Sequence, residues 1–179
     1  VYTSPEGLSE RLSLHLDFSE RQFGIEKKYN NPDDRLIYLI RTLYEKTGKQ
    51  VVILIDEYDK PLLETVENEV LNTANRLQLK AFFEVLKQCD QYIRFAFLTG
   101  VTKFSKMTLF SGVNNLIDIT LLDDYDAICG FTEEELTAYL SPEIEKLAMS
   151  QKSTVKKTCA TLKKRYGGFC FSRAGIRVY

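Results

Sequence analysis

The stretch Val51-Val52-Ile53-Leu54-Ile55-Asp56-Glu57-Tyr58-Asp59-Lys60 decides how the rest of this chain is read. Its five leading apolar residues, four of them β-branched, predict a strand buried on both faces, the pattern of a parallel sheet. The run stops on two adjacent carboxylates. Open α/β sheets bind ligands outside the carboxyl ends of their strands, so Asp56 and Glu57 stand where chemistry would occur. The plainer alternative is that Asp56 caps the next element and Glu57 is solvated.

On the N-terminal side, Ser4-Pro5-Glu6 reads as a helix start, with a hydroxyl cap, Pro in the first turn and an acid at the positive dipole end. Leu8, Leu12 and Leu16 stripe that helix, and His15 at the edge of the stripe has no Ser or Cys marked as its partner, so it reads as packed or solvated. Asn31-Pro32-Asp33-Asp34 opens a second helix that Gly48 ends. On the other side, helical spacing predicts a helix over about 68–90, and Ile93-Arg94-Phe95-Ala96-Phe97-Leu98 predicts a strand that ends in Thr99-Gly100. Strand, long helix and strand make a βαβ unit with parallel strands. Thr99 is then expected on the same sheet edge as Asp56. A buried strand tipped by Asp-Glu has the form of a Walker B segment. There the first acid holds Mg²⁺, directly or through water, and the second orients or deprotonates the attacking water.

The totals narrow the classes. A chain of 179 residues is one domain or one domain with an appendage, and 44% hydrophobic with 27% charged residues is an ordinary globular composition. A net charge of -1 gives no global argument for nucleic acid or an anionic membrane. Cys89, Cys129, Cys159 and Cys170 are far apart, without a C-x-x-C pair and with His15 as the one histidine. That spacing excludes the usual zinc patterns and suits a reduced, cytoplasmic protein. No apolar stretch is long enough to span a bilayer. The chain starts at Val1 and stops in a strand-like pattern at Tyr179, which reads as a piece of something longer.

The remainder is a long segment, 100–115, expected at the ligand edge and carrying Lys103 and Lys106, which read singly as surface lysines. Leu116–Leu121 alternates weakly and predicts a short strand. Thr132-Glu133-Glu134-Glu135 is a capping box, Ser141-Pro142-Glu143 reads as the start of another helix, and a last helix over 153–166 carries Lys156, Lys157, Lys163, Lys164 and Arg165 on one face. Such a face could track a phosphate backbone, although a solvated helix face is the commoner cause. Residues 169–171 and 176–179 read as a β-hairpin.

Several of these stretches together resemble a known family. VVILIDEYDKPLL (51–63), FLTGVTKFSK (97–106), Asn114-Asn115 before Leu116, ICGFTEEEL (128–136) and YGGFCFS (166–172) are similar, in matching order, to the AAA-ATPase-like family. Its members typically join a P-loop ATPase domain to a restriction-endonuclease-like nuclease domain. The resemblance implies that Asp56 and Glu57 are the Walker B acids, that Thr99 is at the sensor-1 position, and that ATP and Mg²⁺ are the ligands. It also implies an α/β fold: a partial P-loop NTPase-type parallel sheet flanked by helices over 1–125, then a helical extension with a terminal hairpin over 126–179. The expected strand order, 5-1-4-3-2, makes 51–55 strand 3, 93–98 strand 4 and 116–121 strand 5. No G-x-x-x-x-G-K-[ST] occurs in the sequence. That loop supplies the phosphate cradle, so its place is expected upstream of residue 1, and the segment alone is expected neither to hydrolyse ATP nor to cut DNA. Two other readings remain: a non-enzymatic nucleic-acid or protein interaction module working through helix 153–166, and a carboxylate metal hydrolase using Asp56, Glu57 and Asp59.

Overall fold

The strands β1 (Val51–Ile55) and β2 (Ile93–Leu98) lie side by side in parallel, with Val52 opposite Phe95 and Ile55 opposite Leu98. This is the pairing expected of a βαβ unit. The computed structural model describes residues 2–101, 109–113, 115–170 and 177–178. Lys103, Lys106 and Asn114 lie outside them. The described chain is mixed α/β and divides into two compact units, Val1–Leu116 and Ile117–Tyr179.

In the first unit, helices α1 (Gly7–Gln22) and α2 (Pro32–Thr47) precede β1, and α3 (Lys60–Leu63) and α4 (Glu69–Gln88) connect β1 to β2. Asn31 caps α2, its side chain accepting from Asp33 N at 2.8 Å, and Gly48 ends that helix at φ 66°. That left-handed turn is one that glycine, without a Cβ, adopts readily. The start of α1 departs from expectation. Ser4 does not cap it; Ser4-Pro5-Glu6 forms a preceding turn, with Gly7 N bonding to Ser4 O at 3.1 Å.

Two apolar clusters hold the unit together. Ile40 from α2 and Val85 and Cys89 from and just after α4 pack against Val51, Ile53 and Ile93. Leu8, Leu16, Leu39, Tyr58, Leu79, Phe82, Phe83 and Leu109 form the second, with Ile55 and Leu98 against it. Each such buried Leu or Phe contributes about 1.5–3 kcal/mol over leaving it in water. Beside them, Arg35 is fully buried. Its Nε and Nη2 donate to the two Glu20 carboxylate oxygens at 3.0 and 2.6 Å, and Nη2 also donates to Asp17 at 2.5 Å. This fork ties α2 to α1.

The central strand is not buried on both faces. Its odd residues face the helices, whereas Val52 is 53% and Leu54 71% exposed, with Phe95 of β2 beside them at 53%. The Phe95 and Phe97 rings stack on β2, 6.1 Å apart and 13° from parallel. Among the described residues only one face of the two-stranded sheet is covered, so burial alternates with the period of the strand. The apolar run signalled a strand correctly but not its surroundings.

The segment after β2 is also partly corrected. Its described residues, 109–113 and 115, do not stay at the carboxyl edge. Leu109 is buried in the core, Phe110 packs on Phe83, Gly112 sits against Glu84 and Asn115 donates to Asp90 at 2.7 Å. The chain therefore runs back along α4 toward the start of β2.

In the second unit, no strand forms over the expected 116–121. Asp118 Oδ1 accepts from Thr120 N at 3.0 Å and from its hydroxyl at 2.6 Å, a local turn that competes with a ladder, and Ile117 and Leu121 stay exposed. Helix α5 (Glu133–Ser150) begins at the expected capping box: Glu135 N donates to Thr132 Oγ1 at 3.2 Å and Thr132 N to Glu135 Oε2 at 2.9 Å. It then runs through Pro142 without a break, so Ser141-Pro142 is not a helix start. The proline ring lacks an N–H, and the Ser141 hydroxyl bonds to the Thr137 carbonyl one turn back. Helix α6 (Val155–Tyr166) follows a Thr154 cap, and β3 (Phe169–Cys170) pairs antiparallel with β4 (Arg177–Val178), the hairpin that the sequence suggests.

Candidate functional site

Parallel register fixes where the polar tips emerge. Ile55 and Leu98 are paired, so Asp56 and Thr99 leave the same carboxyl edge on adjacent strands. The ladder continues past both strands: Thr99 N donates to Ile55 O at 2.9 Å and Tyr58 N to Thr99 O at 3.0 Å. The side chains then converge. The Thr99 hydroxyl donates to Asp56 Oδ1 in a short hydrogen bond, and Glu57 N points at Asp56 Oδ1 (3.0 Å) and Thr99 Oγ1 (3.4 Å). Asp56 thus engages one oxygen with the protein. Its Oδ2 accepts no protein hydrogen bond among the described residues and lies on an exposed loop.

Glu57 occupies the left-handed region at φ 52°, which costs a residue with a Cβ about 1–2 kcal/mol. Such strain persists only where the surroundings over-determine it. Here the Glu57 carboxylate stays on the solvent side, where Oε2 accepts from Lys60 Nζ at 2.8 Å. Glu57, by hydrogen bond and charge, raises the Lys60 ammonium above its ordinary value. Both side chains are half in water, so the pair itself adds little stability.

The next two residues turn inward. Tyr58 is 4% exposed, and its ring meets Phe83 and Phe110 edge-on at centroid distances of 6.2 and 5.1 Å. Asp59 is fully buried beside it, away from the exposed Asp56 and Glu57. Gly100, following Thr99, lies against this pair. A Cβ there would stand 2.5 Å from Tyr58 Cε1 and 2.9 Å from Asp59 Oδ1. Tyr58, Gly100 and Lys60 were not singled out by the sequence. A Tyr wedged after two acids and a Gly after a strand-ending Thr are common local patterns, and only the fold brings them into contact.

The remaining candidates do not converge. His15 is exposed, its side chain makes no hydrogen bond among the described residues, and its backbone oxygen accepts from Ser19 Oγ at 3.2 Å. Lys156, Lys157, Lys163, Lys164 and Arg165 are all exposed on α6, and Lys163 bonds to Glu133 of α5 at 2.5 Å. Among the described residues no three His, Cys, Asp or Glu side chains gather as a metal-ligand group. No helix of the described residues is long and apolar enough to cross a membrane.

Two exposed carboxylates and a hydroxyl at the edge of a parallel pair can take a hydrated cation and an oxyanion, and can orient water. A family model described as "Predicted AAA-ATPase" (AAA-ATPase_like) matches residues 1–110. An "Uncharacterized protein in vnfD 5'region" of Azotobacter chroococcum mcd 1 is 38% identical over 144 residues. That match takes in 80% of this chain and 28% of the relative, so the chain spans well under half of the relative's length. No solved structure matches the chain.

Proposed function

The chain belongs to the AAA-ATPase-like family, and from that premise we propose that it forms part of a P-loop NTPase-type core that hydrolyses Mg-ATP in the whole protein. The core spans 1–125, and 126–179 is a helical extension. The observation that carries this reading is the meeting of the Asp56 carboxylate and the Thr99 hydroxyl at one sheet edge, with the exposed Glu57 next in the loop and bonded to Asp56 through its backbone N–H.

The donor set fits magnesium, which is usually held through one or two carboxylates with water and substrate phosphates completing its shell. Asp56 would hold the ion through Oδ2, which no donor among the described residues engages, and Thr99 fixes the orientation of that carboxylate. Bound Mg²⁺ would neutralise charge developing on the phosphates. Glu57 would orient the attacking water and accept its proton, and Thr99, whose single O–H is donated to Asp56, would act through that carboxylate. The phosphate cradle is assigned to chain outside these 179 residues, since they contain no G-x-x-x-x-G-K-[ST]. The bare face at Val52, Leu54 and Phe95 supports the same view, because parallel sheets are ordinarily covered on both sides. A cytoplasmic location would supply the ATP that this reading needs.

The test is Glu57→Gln in the whole protein. Nucleotide binding should persist while turnover drops by about 10²–10⁴-fold, the usual contribution of a positioned general base. Unchanged turnover would remove Glu57 from the reaction.

A further inference from the structure

We propose that Tyr58 and Gly100 are positioning residues: their contact locks the acid loop so that Glu57 is held left-handed with its carboxylate facing solvent. This rests on the reading of Glu57 as the residue that handles the attacking water.

Glu57 is the one residue of the loop in an unfavourable backbone region, and strain of that kind needs restraint on both sides. Before it, the ladder and Asp56 Oδ1 hold the backbone. After it, the restraint is Tyr58. Its N–H is bound to Thr99 O at 3.0 Å, and its ring is sunk between Phe83 of α4 and Phe110. The burial pattern switches at that bond, from exposed Asp56 and Glu57 to buried Tyr58 and Asp59. Any rotation of Glu57 toward a relaxed conformation has to swing the Tyr58 ring out of the aromatic cluster. Gly100 closes the lock from the other strand. The ring approaches its Cα so closely that a methyl group would overlap Tyr58 Cε1 at 2.5 Å. Because Gly100 follows Thr99 directly, the same contact sets the height of the Thr99 hydroxyl relative to Asp56.

A purely structural Tyr58 would change stability and leave the chemistry of the folded molecules alone. The lock makes a different demand. In the whole protein, Tyr58→Leu and Gly100→Ala should each lower kcat on the order of 10–100-fold per folded molecule, the scale of a misplacement of about 1 Å. ATP affinity should stay within about twofold in each, since the lock acts on Glu57 rather than on the nucleotide. Their combined loss should be less than additive, because the leucine vacates the space that the alanine methyl needs. Without nucleotide, hydrogen exchange of a peptide spanning residues 56–60 should be faster in both variants and unchanged in Phe82→Leu, a core change off the loop. Should Tyr58→Leu not fold, Gly100→Ala carries both readouts. Wild-type kcat and wild-type exchange in Gly100→Ala, alongside a Glu57→Gln that has lost turnover, overturn the lock and leave the hydrolytic reading standing. Strictly additive losses in the double variant overturn it too. Faster exchange in Gly100→Ala alongside full turnover in Glu57→Gln upholds the lock as a feature of the loop and removes the hydrolytic reading instead.

Discussion

The two units of the chain carry charge at a similar density and hold it in opposite ways. In Val1–Leu116 the informative polar groups are restrained: Arg35 is clamped by Glu20 and Asp17, and Asp56 is fixed by Thr99 and the Glu57 N–H. In Ile117–Tyr179 the basic face of α6 is in water, and its one described ion pair, Lys163–Glu133, has both side chains more than half exposed. The lesson is that a site is marked by convergence, and charge density is a poor substitute for it. Five cations on one helix make the louder sequence signal, yet they share no geometry. An acid pair and a threonine make a quieter one, and there Asp56 and Thr99 meet, with Glu57 beside them. That difference is why the acid loop, and not the basic helix, is taken as the functional centre.

Substitutions at the two kinds of charge can break or sharpen this contrast. The largest effect is expected at Arg35. Removing the guanidinium strands Glu20, which is 3% exposed, in the core, and breaking a buried pair in this way costs about 3–5 kcal/mol. Arg35→Met should therefore lower the denaturation midpoint steeply; a loss under about 1 kcal/mol would put the clamp on the same footing as a surface pair. Next is Thr99→Val, which keeps the shape and deletes the donor to Asp56. The bond that orients the Asp56 carboxylate is lost, so turnover should fall by roughly ten- to a hundred-fold, the scale of a misplacement of about 1 Å, with a smaller loss of stability than in Arg35→Met. Equal turnover would mean that the convergence has no functional weight.

Acid titration gives a smaller effect of defined sign. The hydrogen bond from Arg35 holds the Asp17 carboxyl below its ordinary value. A lowered folded-state value contributes stability that is fully present above the unfolded value of about 3.9 and is lost as pH falls through the folded value. Below about pH 4 the wild type should thus lose stability more steeply than Asp17→Asn; parallel curves would deny the linkage. The smallest effects belong to the second unit. Lys163→Met should change stability by no more than about 1 kcal/mol. Reversing Lys156, Lys157, Lys163 and Lys164 to Glu should leave ATP turnover and the salt dependence of any DNA binding as they were. A DNA affinity that collapses, with a salt slope smaller by several units, would reverse the comparison and favour a nucleic-acid module.

Much of the fold is readable along the chain because its signals are local. The β-branched run, the Asn31 and Thr132 caps and the Gly48 stop are each decided within a few residues. The length of α4 is enough to make β1 and β2 parallel, and that relation alone brings Thr99 to Asp56. What is not readable depends on residues far apart in sequence. Tyr58 and Gly100 are 42 positions apart and recognisable only in contact, and no pattern on α2 announces that Arg35 faces inward. Three misreadings have a shared origin in local pattern overruled by surroundings. Val52 and Leu54 resemble core residues but face the uncovered side of the sheet. Leu116–Leu121 alternates like a strand but turns on Asp118. Ser141-Pro142 resembles a helix start but lies inside a helix already nucleated by the Thr132 box.

Magnesium-dependent ATP binding to the whole protein, titrated calorimetrically for wild type and Asp56→Asn, tests the acid-loop account most directly. It predicts that added Mg²⁺ tightens ATP binding in the wild type and has no such effect in Asp56→Asn. The same magnesium-induced gain in both proteins would contradict it.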